Sequence, residues 1–538
     1  MSRKRKCSLF LIFLSTISTF LYSQVWIARY NGEASLDDCA TALAVDEQEN
    51  VYITGYSYRL SNKKSYLTIK YNPNGETLWT RRYEGFSDSE AKNIIIDSEN
   101  NIYVTGWSDG ENTQRDILTI KYNCLGDTLW TRRYNGSDNQ DDEPTKMVID
   151  SRNNIYVTGF SFSNGSNYDY VTIKYNQDGI ERWVRTYNGL GDSTDISNSV
   201  SVDREGNVYI TGVSYGLGTK GDFATIKYDT LGNLIWVTIY NDTTNIFDDE
   251  AIGIGLDSFY NIYVAGISDF DSLPGSGLLT FTIIKYNSSG EKRWITKSFP
   301  GAGADLISDM TVDHNGNVYV TGTDIWWNTH RNYKTEMYDS SGQRLWVAGY
   351  DADSLHDFSC AVAVDNLGNV YITGKSETHQ KGYDYATIKY NINGIEQWVA
   401  RYNGPGDDDD EAIAITIDRI GNIYVTGRSK GINTAYDYCT IKYLPSGPDI
   451  EEPMLSNPEQ FTLEINPSPA TSVIRVRCPL SVKEIKIFDV SGKLVKEIAS
   501  ASPRNDRTEE VKISLKGINP GIYFLRPGKE TKKFIVTK

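Results

Sequence analysis

One phrase recurs eight times along this chain, and that recurrence limits the fold more than any other feature. Its fullest form is Ala-Ile-x-Val-Asp, a Gly-Asn or Asn-Asn turn, and Val-Tyr-Ile-Thr-Gly-x-Ser. After a Gly/Asn-rich loop come Asp-Tyr-x-Thr-Ile-Lys-Tyr-Asn, a tight turn, and Trp-x-x-Arg-Tyr-Asn-Gly. The Asp falls at Asp46, Asp97, Asp150, Asp203, Asp257, Asp313, Asp365 and Asp418. The Gly that closes the second run falls at Gly55, Gly106, Gly159, Gly212, Gly266, Gly322, Gly374 and Gly427. The tryptophans are Trp26, Trp79, Trp130, Trp183, Trp236, Trp294, Trp346 and Trp398. Successive markers lie 51 to 58 residues apart, and all three give the same count.

Each unit holds four short runs rich in Tyr, Thr, Val and Ile, the residues that suit strands. In the second unit they are 91–97, 101–106, 117–123 and 128–134. Asn100-Asn101 and Leu125-Gly126 supply the tight or left-handed backbone a hairpin needs. Four antiparallel strands in about 50 residues make a propeller blade, and a blade buries its faces only against other blades. The chain is therefore expected to be all-β, an eight-bladed β-propeller over residues 24–444. The recurring Gly is read as a bend or close contact, and the Trp as filling the space between blades. The Lys of Thr-Ile-Lys-Tyr is expected to lay its stem on aromatic surface and pair with a carboxylate, the recurring Asp being a candidate. The sixth unit has lost that Lys and reads Thr335 to Tyr338. The array opens on a fourth strand, from Trp26, and ends on a third, at Tyr443, so the N-terminal strand is expected to complete the last blade.

The formal net charge is −16, which favours solubility and argues against nucleic acid as a partner. Residues 1–23 read as a secretory signal peptide: a basic start from Arg3 to Lys6, an apolar stretch to Leu21, and a cut near Ser23. Cys7 stands before the apolar stretch, where it does not signal a lipid anchor, and no further membrane span is expected in the mature chain. Cys39, Cys124, Cys360, Cys439 and Cys478 form no disulfide framework and contain no CxxC pair. They read as small buried residues, although a closed ring would make Cys39 and Cys439 neighbours.

After the repeats, 445–458 is a linker by composition, rich in Pro and acid. Seven strand-like runs follow within 459–538, which suits a small β-sandwich.

Two resemblances carry this further. The phrase Val-Asp, Gly-Asn, Val-Tyr-Ile-Thr-Gly resembles the bacterial SBBP-type propeller repeat over residues 25–443, which implies the propeller fold and little about activity. The tail resembles the C-terminal sorting domain of the type IX secretion system. The matching phrases are Asn466 to Pro469, Glu484 to Val495, Gly517 to Phe524 and Lys532 to Lys538. That resemblance implies a Bacteroidota-type bacterium and passage through the periplasm. It implies the secretion machinery as partner of residues 459–538, and a protein released or held at the cell surface.

No nucleotide loop, HExxH or CxxC motif is present, and His314, His330, His356 and His379 have no metal-ligand spacing. Acidic clusters precede the first strand of several units, among them Asp37-Asp38, Asp141-Asp142, Asp248-Asp249 and Asp407 to Glu411. Asp141, Asp142, Asp248, Asp249, Asp408 and Asp409 have two readings: a calcium site on one rim, or solvated loops. Trp326 and Trp327, side by side in the most divergent unit, have two readings as well: stacking on a sugar or peptide, or plugging a gap between blades. The expected function is non-enzymatic binding of an extracellular glycan or protein. The alternative is a hydrolase acting on polysaccharide or peptide through loop carboxylates.

Overall fold

The computed structural model describes residues 26–447 except 243–247, 270–278, 299–303, 326–329, 353–354 and 380–381, together with seven strands between 464 and 536. The chain divides into two compact units, 1–450 and 451–538. The first is all-β and forms an eight-bladed propeller of four-stranded antiparallel blades. Blade 1 runs Asp38–Val45, Val51–Tyr58, Lys64–Tyr71 and Thr77–Tyr83, and hydrogen bonding joins these strands in chain order. The other blades repeat the pattern, and neighbouring first strands touch each other around the inside of the ring. Because the strands alternate in direction, the loops before the first and third strands share one end of the ring. The two tight turns of each blade share the other.

The repeated residues each have a local cause. The Asp ends the first strand and caps the turn. Asp46 Oδ1 accepts the N–H of Gln48 at 2.9 Å and of Asn50 at 2.8 Å, while Oδ2 takes the Asn50 amide at 2.8 Å and the Tyr52 hydroxyl at 3.0 Å. The same pattern ends at Asp418 and Tyr424. The turns use left-handed backbone where the sequence predicts it: Asn100 has φ 61° and Gly126 φ 84°. The Gly after Tyr-Ile-Thr faces a bulge in the first strand, so an added Cβ at Gly55 would land on the carbonyl oxygen of Cys39. Gly106 and Gly374 meet Glu90 and Phe358 in the same way.

The tryptophans join the blades, as expected. Each indole N–H donates to a carbonyl in the last turn of the next blade, for example Trp79 to Cys124 at 3.2 Å and Trp183 to Thr230 at 3.2 Å. A Gly of that turn lies flat on the ring, and a Cβ at Gly126 would come within 2.9 Å of Trp79. The lysines differ from expectation. The stem does lie on a ring, with Lys70 Nζ 4.8 Å from the centroid of Tyr52. The ammonium of six of the seven, however, donates to the carbonyl the Trp uses, as Lys70 to Cys124 at 3.2 Å, Lys174 to Thr230 at 2.9 Å and Lys285 to Ser340 at 2.9 Å, while Lys442 pairs with the carboxylate of Glu49 at 3.2 Å. The Asp is already saturated by the turn and the Tyr hydroxyl. Only Lys121 also approaches it within ion-pair range among the described residues, 3.7 Å from Asp97.

The ring closes as the sequence predicts. Trp26–Tyr30 pairs antiparallel with Tyr436–Tyr443 and forms the outer strand of blade 8. Trp26 then reaches forward to the carbonyl of Pro73 in blade 1 at 2.9 Å. Arg29 ties the seam from inside, donating to Asp437 at 2.9 Å and to the Tyr402 hydroxyl of blade 7 at 3.0 Å. Cys39 and Cys439 are both buried free thiols, whereas Cys124 is exposed and Cys360 half-buried. Cys478 lies outside the residues whose side chains are described.

Blade 6 departs from the pattern in its core. Lys334 and Glu336 occupy the register positions held by Leu67 and Ile69 in blade 1 and by Leu118 and Ile120 in blade 2. Met337 takes the place of the repeated Lys. Lys334 bonds Asp305 at 2.6 Å and Ser298 at 2.9 Å; Glu336 accepts from Ser298 at 2.9 Å, from Arg344 at 3.0 Å and from the Tyr338 hydroxyl. Asp305 and Glu336 are fully buried.

The second unit contains Glu464–Asn466, Val473–Pro479, Glu484–Asp489, Leu494–Ala499, Thr508–Ser514, Gly521–Pro527 and Lys532–Val536. They form one three-stranded and one four-stranded antiparallel sheet, and each strand overlaps one read from the sequence. No helix among the described residues is long and apolar enough to cross a membrane.

Candidate functional site

The acidic clusters lie on the loop end of the ring, each in its own blade, and bind backbone N–H groups. The second Asp of each pair starts the first strand and accepts a backbone N–H from the loop before it: Asp142 from Gly136 at 2.6 Å, Asp249 from Asp242 at 2.8 Å, Asp410 from Gly404. The first Asp reaches the preceding blade. Asp248 accepts from Gly221 N–H at 2.8 Å, Asp409 from Tyr383 at 3.0 Å, Asp141 from Arg115 at 3.3 Å and Asp37 from Tyr436 at 3.3 Å. Asp408 is exposed and caps the N–H of Asp409 at 2.8 Å. These carboxylates therefore hold the third strand of one blade to the first strand of the next. Among the described residues no group of three or more His, Cys, Asp or Glu is placed to hold a metal ion. Trp326 and Trp327 lie outside the described residues.

The same end of the ring carries a second pattern that the repeat phrase hides. Three positions of each blade meet there: the second residue of the first strand, the residue after the bend Gly, and the start of the third strand. In blades 1, 2, 7 and 8 the last two hold one aromatic ring and one cation, in either order. Lys64 stands 3.9 Å from the centroid of Tyr56, Arg115 4.2 Å from Trp107, Lys375 5.1 Å from Tyr383 and Arg428 4.6 Å from Tyr436. Blade 3 carries rings alone, with Phe160 and Phe162 edge-on to Tyr168 at 5.0 and 5.7 Å. Phe358 extends the line toward blade 6, with Arg331 5.2 Å from its centroid. Val213 and Gly221 of blade 4, and Ile267 and Leu279 of blade 5, carry neither ring nor charge. The result is an aromatic and cationic crescent over consecutive blades 7, 8, 1, 2 and 3.

Glutamates from the first strands bind the crescent together. Lys64 and Lys92 both pair with Glu90, Arg115 pairs with Glu143, and Lys375 and Arg428 share Glu411 at 2.8 and 2.6 Å. Three of these pairs, Lys64–Glu90, Arg115–Glu143 and Lys375–Glu411, cross from one blade to the next. Burial raises the Glu90 and Glu411 carboxyls, but their cation partners outweigh it and hold both below the usual value of 4.5. The sequence reading singled out only the sixth unit for divergence and missed this crescent. The available signal was the alternation of ring and cation eight residues apart, as at Tyr56 and Lys64 or Arg428 and Tyr436.

The loop-capping carboxylates behave oppositely. Burial pushes Asp142, Asp357 and Asp410 up from 3.8 to about 6, and Asp249 to about 8, more than their backbone hydrogen bonds lower them. Between the unfolded value near 4 and these values the folded ring binds protons that the unfolded chain does not. Stability from these groups is thus complete below about pH 4 and falls as pH rises toward 8. Glu90 and Glu411 act the other way and lose their contribution below about pH 4.5. The thermal midpoint should therefore peak near pH 5 and decline toward pH 8, with Asp249→Asn flattening the upper part of the decline. Calorimetry across that range checks this, and a midpoint that climbs from pH 5 to 8 would contradict it.

The family models agree with the architecture. A family model described as Beta-propeller repeat (SBBP) matches residues 78–112, 129–167, 183–218 and 397–433. A model described as Secretion system C-terminal sorting domain matches 464–538. Among curated proteins, an uncharacterized WD repeat-containing protein of Acanthamoeba polyphaga mimivirus is 22% identical over 79% of this chain and 37% of its own length. The regulatory protein FlaEY of Caulobacter vibrioides is 24% identical over 57% of this chain and 34% of its own. The chain thus spans little more than a third of either relative. Among solved structures, the polysaccharide lyase Uly1 aligns over 75% of this chain and 89% of its own, at 12% identity and a TM-score of 0.40. A gluconolactonase of Xanthomonas campestris aligns over 62% of this chain and 94% of its own, at 13% identity and a TM-score of 0.30. The chain thus carries SBBP-type β-propeller repeats and, at its C-terminus, a type IX secretion sorting domain, which supports secretion or a place at the cell surface.

Proposed function

We propose that the exported ring is a binding module and that the crescent on its loop end is the binding face. One observation carries this reading. The positions that hold the blades together repeat around the ring, while the three positions at the loop end change from blade to blade and gather rings and charges on one arc. A scaffold needs no such departure, and half-exposed aromatic rings beside cations are the usual chemistry of a contact surface. The carboxylates of the crescent favour binding over hydrolysis, because Glu90 and Glu411 are held ionised and a hydrolytic general acid must keep its proton near neutral pH. The second reading, a hydrolase of polysaccharide or peptide, draws no comparable support from the geometry.

The test compares two faces. The exported protein is incubated with the extracellular polymers of its own culture, and the retained fraction is measured by co-sedimentation. Tyr383→Ala with Tyr436→Ala should lower retention at least about tenfold. Leu367→Ala with Ile420→Ala, on the exposed turns of the opposite end, should leave it unchanged. Equal loss from both pairs would remove the crescent as the binding face.

A further inference from the structure

We infer that the ligand of the crescent is an uncharged, hydroxyl-rich polysaccharide chain laid along blades 7, 8, 1 and 2. This inference rests on the crescent being the binding face, and it adds the chemical class.

Charge comes first. Four of the cations that face the rings already have a carboxylate, Lys430 beside Tyr436 having no such partner among the described residues: Lys375 lies 2.8 Å and Arg428 2.6 Å from Glu411, Lys64 lies 3.1 Å from Glu90, and Arg115 is paired with Glu143. A polyanion would have to pull these cations off their partners within a protein whose net charge is −16. A polycation would find the same carboxylates neutralised. An uncharged hydroxyl asks for neither change, because it donates to a carboxylate oxygen and accepts from an ammonium or guanidinium at once. Such pairs, exposed at their edges, present both halves of that contact at every blade.

The rings come next. Tyr383, Tyr436 and Tyr56 are half-buried, so each ring is held in place and still offers an open part. The C–H face of a sugar ring covers such a surface while its equatorial hydroxyls point sideways, toward the flanking ion pairs. An apolar ligand would leave those pairs desolvated without partners, at a cost. A peptide in extended form is recognised by pairing with an open strand edge. The crescent is built from strand ends and side chains and offers no such edge.

The repeat sets the length. An open ring beside an ion pair recurs in three consecutive blades, 7, 8 and 1, while blade 2 adds its ion pair beside the buried Trp107, so a single sugar can occupy only one of these stations. A chain can engage several, and linked weak contacts raise affinity well above that of one station.

The experiment uses the exported protein and measures affinity by calorimetry and affinity electrophoresis against dextran, laminarin and mannan as uncharged chains, alginate and chondroitin sulfate as acidic ones, and casein as a polypeptide. The expected result is binding to an uncharged chain, weaker by at least tenfold for its disaccharide, and changed less than about twofold between about 50 and 500 mM salt. Tyr383→Ala with Tyr436→Ala should weaken it at least about tenfold while the melting temperature stays within about 2 °C of the parent. Glu411→Gln should weaken it too, through the lost acceptor and the released cations. Binding only to the acidic chains, with affinity falling as salt rises, overturns the chemical class and leaves the face standing if the tyrosine pair still abolishes it. Binding only to casein does the same. Binding to an uncharged chain that survives the tyrosine pair overturns the face, and failure to bind any of the six overturns the inference.

Discussion

Deleting residues 24–32 is expected to lower the stability of the ring by about 5 kcal/mol or more and to make it associate. That segment supplies the outer strand of blade 8, and its removal bares the edge of Tyr436–Tyr443, an open template for pairing with another chain. It also takes away two joints. Trp26 leaves its seat over Gly75 and its bond to Pro73, and a core-sized Trp is worth roughly 3–5 kcal/mol. Arg29 leaves Asp437 and Tyr402, and with it the tie between blades 7 and 8. Thermal unfolding followed by circular dichroism, with light scattering for association, measures both effects. An unchanged midpoint would mean that the ring is closed by other contacts. Trp26→Phe separates the contributions, since it keeps the strand and removes the indole bond. It should cost only about 1 kcal/mol.

The second large effect lies in blade 6. Lys334→Leu alone should destabilise the ring by about 3–5 kcal/mol, because it leaves Asp305 buried without its cation and Glu336 with Arg344 alone. Adding Glu336→Ile should recover most of that loss, giving a double variant within about 1 kcal/mol of the parent or above it. The double replacement puts back the apolar pair seen as Leu67 and Ile69 in blade 1. Arg344 is partly exposed and can turn to water, and Asp305, which burial pushes up to about 7, can take a proton in place of its ion pair. Chemical denaturation of the two variants decides the matter. A double variant as unstable as the single one would show that this buried network stabilises the ring in its own right.

The ring was legible because its determinants are local and repeated. The Asp turn, the bend Gly, the Trp seat and the one-strand offset at the ends each follow from residues within one phrase or from its first and last copies. The partner of the repeated lysine was misjudged because that partner lies in the next blade. A carbonyl of the following turn, such as Cys124 for Lys70, leaves no trace in side-chain identity. The acidic pairs were recognised as features of the loop end. Their backbone partners in two different blades could not be seen from the sequence, and those partners make the pairs joints between blades. The crescent escaped for a further reason. Its members are eight residues apart in the chain and become diagonal neighbours only when the hairpin forms, as Tyr56 and Lys64 do. Its ion pairs then cross between blades, which no single repeat records.

The central claim is that the exported ring meets its ligand on the loop end, over blades 7, 8, 1 and 2. Hydrogen–deuterium exchange of the exported protein, with and without the polymer it retains, tests this most directly. Protection should appear at the starts of the third strands near Lys64, Arg115, Tyr383 and Tyr436 and in the first strands around Glu90 and Glu411, and the turns at Asp365 and Asp418 should be unaffected. Protection confined to those turns, or to the outer strands, would contradict the account.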